Sequence, residues 1–104
     1  MKKTLCIDFD GVIHKYTSGW QGPTVIPDGI MDGAVEKITE LSKTYRICIF
    51  TTRANTVSGE KAVMEFLNEY RVPWDEVIGK PIAVAYIDDR AIHFESWDSI
   101  EVNR

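Results

Sequence analysis

The chain has 104 residues, with twelve basic against sixteen acidic side chains, a net charge of −4, 44% apolar residues and 27% charged ones. That length makes one domain over residues 1–104, with a single core and no room for a separate substrate domain, and the composition excludes disorder and coiled coil. No stretch approaches the ~20 apolar residues a bilayer span needs, and the acidic balance argues against a general nucleic-acid binder.

Met1-Lys2-Lys3 ahead of Thr4–Ile7 begins like a signal peptide, but Asp8 and Asp10 interrupt the apolar run too early and no small-residue cleavage site follows. The chain therefore reads as soluble and cytoplasmic, with no membrane partner. Thr4–Ile7 has the short apolar form of a buried strand and ends in Asp8-Phe9-Asp10-Gly11. Residues 12–30 carry scattered Gly, Pro, Ser and Trp and read as a long loop or small hairpin. A helix follows, capped by Asp32, with Ala34, Val35, Ile38 and Leu41 on its apolar face. Tyr45–Phe50 is a second buried strand, closed by Thr51-Thr52-Arg53. Thr56 or Ser58 opens a second helix with Val63, Phe66, Leu67 and Tyr70 as its stripe, and Pro73 stops it. After Val77-Ile78 and Gly79-Lys80-Pro81, the run Ile82–Ile87 reads as the third good strand, closed by Asp88-Asp89-Arg90. Cys6 and Cys48 lie in apolar runs with no zinc spacing and read as two buried free thiols.

Strand, helix, strand, helix, strand implies crossovers, a mostly parallel sheet and helices on both faces. Ligands of such sheets lie beyond the carboxyl ends of the strands. Asp8, Asp10, Thr51, Lys80, Asp88 and Asp89 all fall at those ends. Like charges gathered there repel, and a hard divalent cation, Mg²⁺, resolves the repulsion through oxygen ligands. Lys80 adds a fixed positive charge and Thr51 a hydroxyl. Backbone N–H groups near Phe9–Asp10 and at Thr52 add donors for phosphoryl oxygens. One carboxylate to attack and one to move protons suits phosphoryl transfer. His14 and His93 read as lying away from this set, so no Ser/His or Cys/His pairing for ester or amide hydrolysis is expected.

Asp8-Phe9-Asp10-Gly11-Val12-Ile13 after an apolar strand resembles the first motif of the haloacid dehalogenase superfamily of phosphohydrolases. Ile49-Phe50-Thr51 resembles its second motif, Gly79-Lys80-Pro81 its third and Ile87-Asp88-Asp89 its fourth, in the family's order. The resemblance implies a minimal Rossmann-like three-layer α/β sandwich, a mostly parallel sheet with the Asp8 strand central. It also implies a flap hairpin within residues 12–30 and, because both insertion points are short, no cap domain. It implies Asp8 as nucleophile, forming an aspartyl-phosphate, with Asp10 as acid and base. Thr51 would hold a phosphoryl oxygen and Lys80 would offset charge. Mg²⁺ would be held by Asp8, the carbonyl of Asp10, and Asp88 or Asp89. The activity so implied is Mg²⁺-dependent phosphomonoester hydrolysis.

A narrower likeness, carried by Thr51-Thr52-Arg53, Ile87-Asp88-Asp89-Arg90 and Trp97, is to the phosphatase half of polynucleotide kinases. The wider pattern also resembles small stand-alone phage and bacterial proteins of the superfamily. An uncapped site suits a bulky phosphorylated substrate (a nucleic-acid end, or a phosphoprotein) and stays open unless a neighbouring subunit covers it. Nucleic acid enters only as such an end. Trp20 either stacks on substrate or pins the flap. Arg53 either grips a phosphate bidentately or pairs with Asp88, Asp89 or a flap acid. Two other classes compete. A receiver domain has its acidic pair first in the chain, and here it comes last. A non-catalytic phosphate-binding module would more often lack Asp10 or Lys80.

Overall fold

The computed structural model describes residues 1–103. Strand β1 (Thr4–Ile7) is followed by helix α1 (Ala34–Ser42), strand β2 (Arg46–Phe50), a 3₁₀ turn at Thr52–Asn55, helix α2 (Val57–Glu69), strand β3 (Glu76–Ile78) and a last 3₁₀ turn at Trp97–Ser99. The three strands form one parallel sheet in the order β1-β2-β3. Ile7 pairs with Ile49, and Ile49 with Val77. This small parallel sheet with two helices is consistent with a minimal Rossmann-like α/β fold.

The helices form for the reasons their spacing suggests. Ala34, Ile38 and Leu41 make the buried stripe of α1, and Val63, Phe66 and Leu67 that of α2. Thr56 caps α2, its Oγ1 accepting the Gly59 N–H at 3.1 Å. Helix α1 starts from Gly33 in the left-handed region, without a side-chain cap, so Asp32 does not play the part expected of it. Gly59 is obligatory, because a Cβ there would lie 1.9 Å from the Arg53 carbonyl oxygen.

The sheet departs from expectation in three ways. Ile82–Ile87 forms no strand: residues 79–92 have no helix or strand, and every residue from 81 to 93 is exposed. The third strand is instead the short Glu76–Ile78. β1 is consequently an edge strand rather than the central one. Finally, the helices do not cover both faces. Both crossovers step the same way across the sheet, and right-handed crossovers of that kind lay α1 and α2 on one side. Leu5, Ile7, Ile47, Ile49 and Val77 face that side and join the core with both helices. Thr4, Cys6, Arg46, Cys48, Glu76 and Ile78 occupy the other face, where Thr4, Cys6 and Ile78 are exposed. The arrangement is two-layered, not a three-layer sandwich.

The loop of residues 12–30 carries no strand, and the expected hairpin is reduced to a single antiparallel bridge between His14 and Ile30. A turn at Phe9–His14 has three successive N–H groups on the Phe9 carbonyl, and single bridges join His14 to Asp10 and to Ile30. The loop neck is closed by Lys15 N–H on the Gly29 carbonyl at 3.0 Å. At the other end of the chain, Trp97 is buried, its Nε1–H donating to the Val12 carbonyl at 2.8 Å, which ties the C-terminal segment to the start of this loop. No helix among the described residues is long and apolar enough to cross a membrane.

Of the two thiols only Cys48 is buried; Cys6 is exposed. Cys48 sits opposite Cys6 in the ladder, and burial, with Cys6 beside it, pushes its thiol up to about 12. Cys48 should therefore stay unlabelled by a thiol reagent at neutral pH in the folded protein and react once urea unfolds it, as mass spectrometry of the labelled chain would record.

Candidate functional site

Strand β1 delivers Asp8 to the carboxyl end of the sheet, one residue past the Ile7–Ile49 pair. Asp8 Oδ1 accepts the Phe9 N–H at 2.8 Å. Its other oxygen, Oδ2, faces Lys80 Nζ at 3.5 Å. Burial pushes the Asp8 carboxyl above its ordinary value, against the opposing pull of the Phe9 N–H and Lys80. Lys80 itself is buried, its ammonium lying 4.2 Å from the Phe50 ring centre and 4.1 Å from that of Tyr86. Two π faces and one carboxylate thus compensate a charge that has largely left water.

The backbone of Lys80 is held by a residue the sequence analysis did not single out. Asn55 Oδ1 accepts the Lys80 N–H at 3.1 Å and Asn55 Nδ2 donates to the Lys80 carbonyl at 3.0 Å. Gly79 makes this possible, since a Cβ there would fall 2.4 Å from Asn55 Oδ1. The Asn55→Ala change removes both bonds and leaves Lys80 N–H without its partner. If Lys80 serves the chemistry, kcat/KM should fall about tenfold, the equivalent of one net hydrogen bond. Steady-state assays should show Asn55→Asp, which keeps the acceptor, losing less.

Thr51 closes β2 and is buried. Its N–H donates to the Ile78 carbonyl at 3.0 Å, and its Oγ1 accepts the Arg53 N–H at 3.2 Å, capping the 3₁₀ turn. The hydroxyl proton remains available to a ligand. Thr52, half-buried, opens that turn beside it.

Asp10 is bound on two sides. Arg53 Nε lies 3.0 Å from Oδ1 and 2.9 Å from Oδ2, and His14 Nδ1 lies 2.9 Å from Oδ1. The Asp28 N–H donates to His14 Nε2 at 3.0 Å, so that nitrogen carries no proton and Nδ1–H is the donor to Asp10. His14 is fully buried and belongs to the site, contrary to the expectation that it stands apart. Asp28 takes two hydrogen bonds from Ser18, backbone and hydroxyl, which hold its carboxyl below the usual range.

Arg53 is not open to a ligand as a phosphate grip would be. Its side chain is 0% exposed, and Nη1 donates to the carbonyls of Gly22, Pro23 and Val25 at 3.0, 3.1 and 3.0 Å. It pairs with Asp10, which precedes the 12–30 loop, rather than with Asp88, Asp89 or an acid of that loop. Its Nη2 has no hydrogen-bond partner among the described residues. Trp20 lies over the guanidinium, 4.9 Å from ring centre to Cζ, and is itself half exposed. Trp20 thus pins the loop and also presents a face to solvent.

Asp88 and Asp89 are not brought to this site. Both are exposed, and the Asp88 carboxylate accepts the local Arg90 N–H at 2.8 Å. Among the described residues no group of three or more His, Cys, Asp or Glu side chains could hold a metal ion. The expected cation set of Asp8, Asp10, Asp88 and Asp89 is therefore not assembled within one chain.

No family model matches the chain. No curated protein matches it either. The chain is similar in structure to a target protein from Vibrio cholerae of known crystal structure, with a TM-score of 0.73 and 25% sequence identity over 97% of this chain and 90% of the other.

Proposed function

We propose that the chain is a phosphomonoester hydrolase with Asp8 as nucleophile. The observation that carries this reading is the pairing of a partly desolvated Asp8 carboxylate with a buried Lys80 at 3.5 Å, at the strand ends where Thr51 also stands. A substrate phosphate meets there a nucleophile, a fixed cation and a hydroxyl donor. Order and spacing of the four motifs that resemble the haloacid dehalogenase superfamily support the same reading.

Asp8 Oδ2, the oxygen not bonded to Phe9 N–H, attacks phosphorus as the bond to the leaving oxygen breaks. Lys80 offsets charge on the transferring group, and Thr51 Oγ1–H donates to one of its oxygens. Asp10 takes the proton of the monoanionic phosphomonoester on its Oδ2 and passes it to the leaving oxygen. It then takes one from the water that attacks the aspartyl-phosphate, releasing inorganic phosphate and restoring Asp8. Arg53 and His14 keep the Asp10 carboxylate fixed, while Oδ2, used once, retains acceptor capacity. Mg²⁺ is part of the proposed activity, but the carboxylates that the described residues of one chain gather around Asp8 do not make a cation site.

With no cap over Asp8, the substrates proposed are bulky phosphomonoesters, including phosphorylated nucleic-acid ends and phosphoproteins. The test is a screen of nucleotides, sugar phosphates, phosphopeptides and 3′- or 5′-phosphorylated oligonucleotides, with and without Mg²⁺, against an Asp8→Asn control. Release of phosphate by the wild-type chain alone supports the reading; no release, or equal release by the control, removes it. A second reading, a phosphate-binding module without turnover, is favoured by one observation: among the described residues no group of three or more His, Cys, Asp or Glu side chains could hold a metal ion.

A further inference from the structure

Residues 81–93 form an exposed arm, anchored at one end by buried Lys80, whose ammonium the half-exposed Tyr86 ring covers at 4.1 Å, and at the other by Phe94 and buried Trp97; Tyr86 is the contact that seating the arm elsewhere would release. The arm carries the continuous apolar run Ile82-Ala83-Val84-Ala85-Tyr86-Ile87, in which Ile82 is 86% exposed, Val84 108% and Ile87 102%. A run of this kind is the signature of a strand buried on both faces of a parallel sheet. The same chain offers an open edge of matching form: β1 is an edge strand whose outer hydrogen-bonding groups have no sheet partner among the described residues.

The arm does not reach its own β1 in parallel. Lys80 stands at the carboxyl end of the sheet beside Asp8, and a parallel strand starts at the opposite end. Six residues of strand cover roughly 17–20 Å, whereas Pro81, the single residue between Lys80 and Ile82, spans under about 4 Å. An antiparallel return within one chain is short enough, but it carries Asp88 and Asp89 to the far end of the sheet from Asp8. A second copy has neither restriction.

We infer that two copies of this chain exchange arms, each adding its Ile82–Ile87 segment in parallel to the free edge of the other's β1 and so delivering its Asp88 and Asp89 beside the other's Asp8. The exchange is reciprocal and closes with two-fold symmetry. It makes β1 central in a four-stranded sheet and buries the run that is otherwise exposed. Together with the proposed function, on which this part rests, it completes in trans the carboxylate set that one chain lacks: Asp8, the partner's Asp88 and the partner's Asp89, an oxygen set of the kind Mg²⁺ accepts.

The pairing is tested without reference to activity. With Ile87 level with Ile7, Tyr86 falls opposite Cys6 on the same face, at a strand spacing that a disulfide tolerates. The Tyr86→Cys chain under mild oxidation should give a covalent, reducible dimer through Cys6, whereas Val57→Cys, exposed on α2, should not. Sedimentation equilibrium should find the wild-type chain dimeric and Val84→Asp monomeric with unchanged circular dichroism. Three results overturn the exchange: a monomeric wild-type chain, a Tyr86→Cys chain whose new thiol links to Cys6 of the same molecule, or a Val84→Asp chain that stays dimeric. Co-expression of Asp8→Asn with Asp88→Asn/Asp89→Asn on separate tags then reads the site. Each variant alone should be inactive, and the purified heterodimer, with one complete site in two, should regain about half the wild-type rate. A cross-linked dimer whose wild-type form hydrolyses no phosphomonoester keeps the exchange and removes the function. An active wild type without recovery in the heterodimer removes delivery in trans.

Discussion

Replacing Asp8 by Asn should lower phosphatase turnover roughly 10⁴-fold or more while leaving the protein folded. The amide matches the carboxylate in shape but has no anionic oxygen to offer phosphorus. Stability should barely change, and the direction of the pKa shift explains why. Burial raises the Asp8 carboxyl above its ordinary 3.8, so the folded chain holds that proton more tightly than the unfolded one. Between 3.8 and the raised value, the folded state's advantage falls as pH rises, because ionised Asp8 is disfavoured by its surroundings. At neutral pH the substitution therefore removes a charge the fold does not favour, while Lys80 keeps the face of Phe50. The melting temperature should move by less than about 4 °C, equivalent to under roughly 1 kcal/mol. The same shift sets the acid side of the wild-type rate profile. As pH falls through the raised pKa, Asp8 takes up a proton and attack stops, so kcat/KM should decline at a higher pH than an ordinary carboxylate would give. Substantial residual turnover in Asp8→Asn, or an acid limb at or below 3.8, would remove Asp8 from the nucleophile's place.

Much of this site is legible in the sequence because it depends on strand ends. Two short apolar runs closed by Asp8 and Thr51 mark where two side chains of the candidate site emerge, and parallel pairing brings those ends together. Lys80 is legible by chemistry. Its clamp is not, because Asn55 lies 25 residues away and carries no local signal. His14 escapes sequence reading for a different reason. It follows Asp10 by four residues, but only the tight turn at Gly11, with φ of 81°, makes that spacing a contact. Ile82–Ile87 misleads because an apolar run states that a strand wants burial, not in which sheet or in which molecule. The signal that warns against a strand within one chain is the single residue separating it from Lys80.

The largest loss of stability should come from Arg53. Its guanidinium is fully buried, meets both oxygens of a largely buried Asp10, and supplies the donor for three carbonyls of the 12–30 loop. The Arg53→Met change fills a similar volume, but it leaves Asp10 with His14 alone and the carbonyls of Gly22, Pro23 and Val25 without their donor. Breaking one side of a buried ion pair costs about 3–5 kcal/mol, against a total of roughly 5–15 kcal/mol for a domain. Urea titration followed by far-ultraviolet circular dichroism should show the midpoint falling by a large fraction of its wild-type value. Arg53→Lys should recover little of it, since one ammonium cannot serve Asp10 and three carbonyls at once. Asp10→Asn should also destabilise, because it leaves the buried guanidinium uncompensated. The double variant, with both charges gone, should then be more stable than the sum of the single losses implies, a coupling that a double-mutant cycle reads directly. Limited proteolysis provides the local check: cleavage within residues 15–29 should appear in Arg53→Met before the core is attacked. A loss below about 1 kcal/mol, the range of an exposed ion pair, would mean that Arg53 does not hold the loop and Asp10 together.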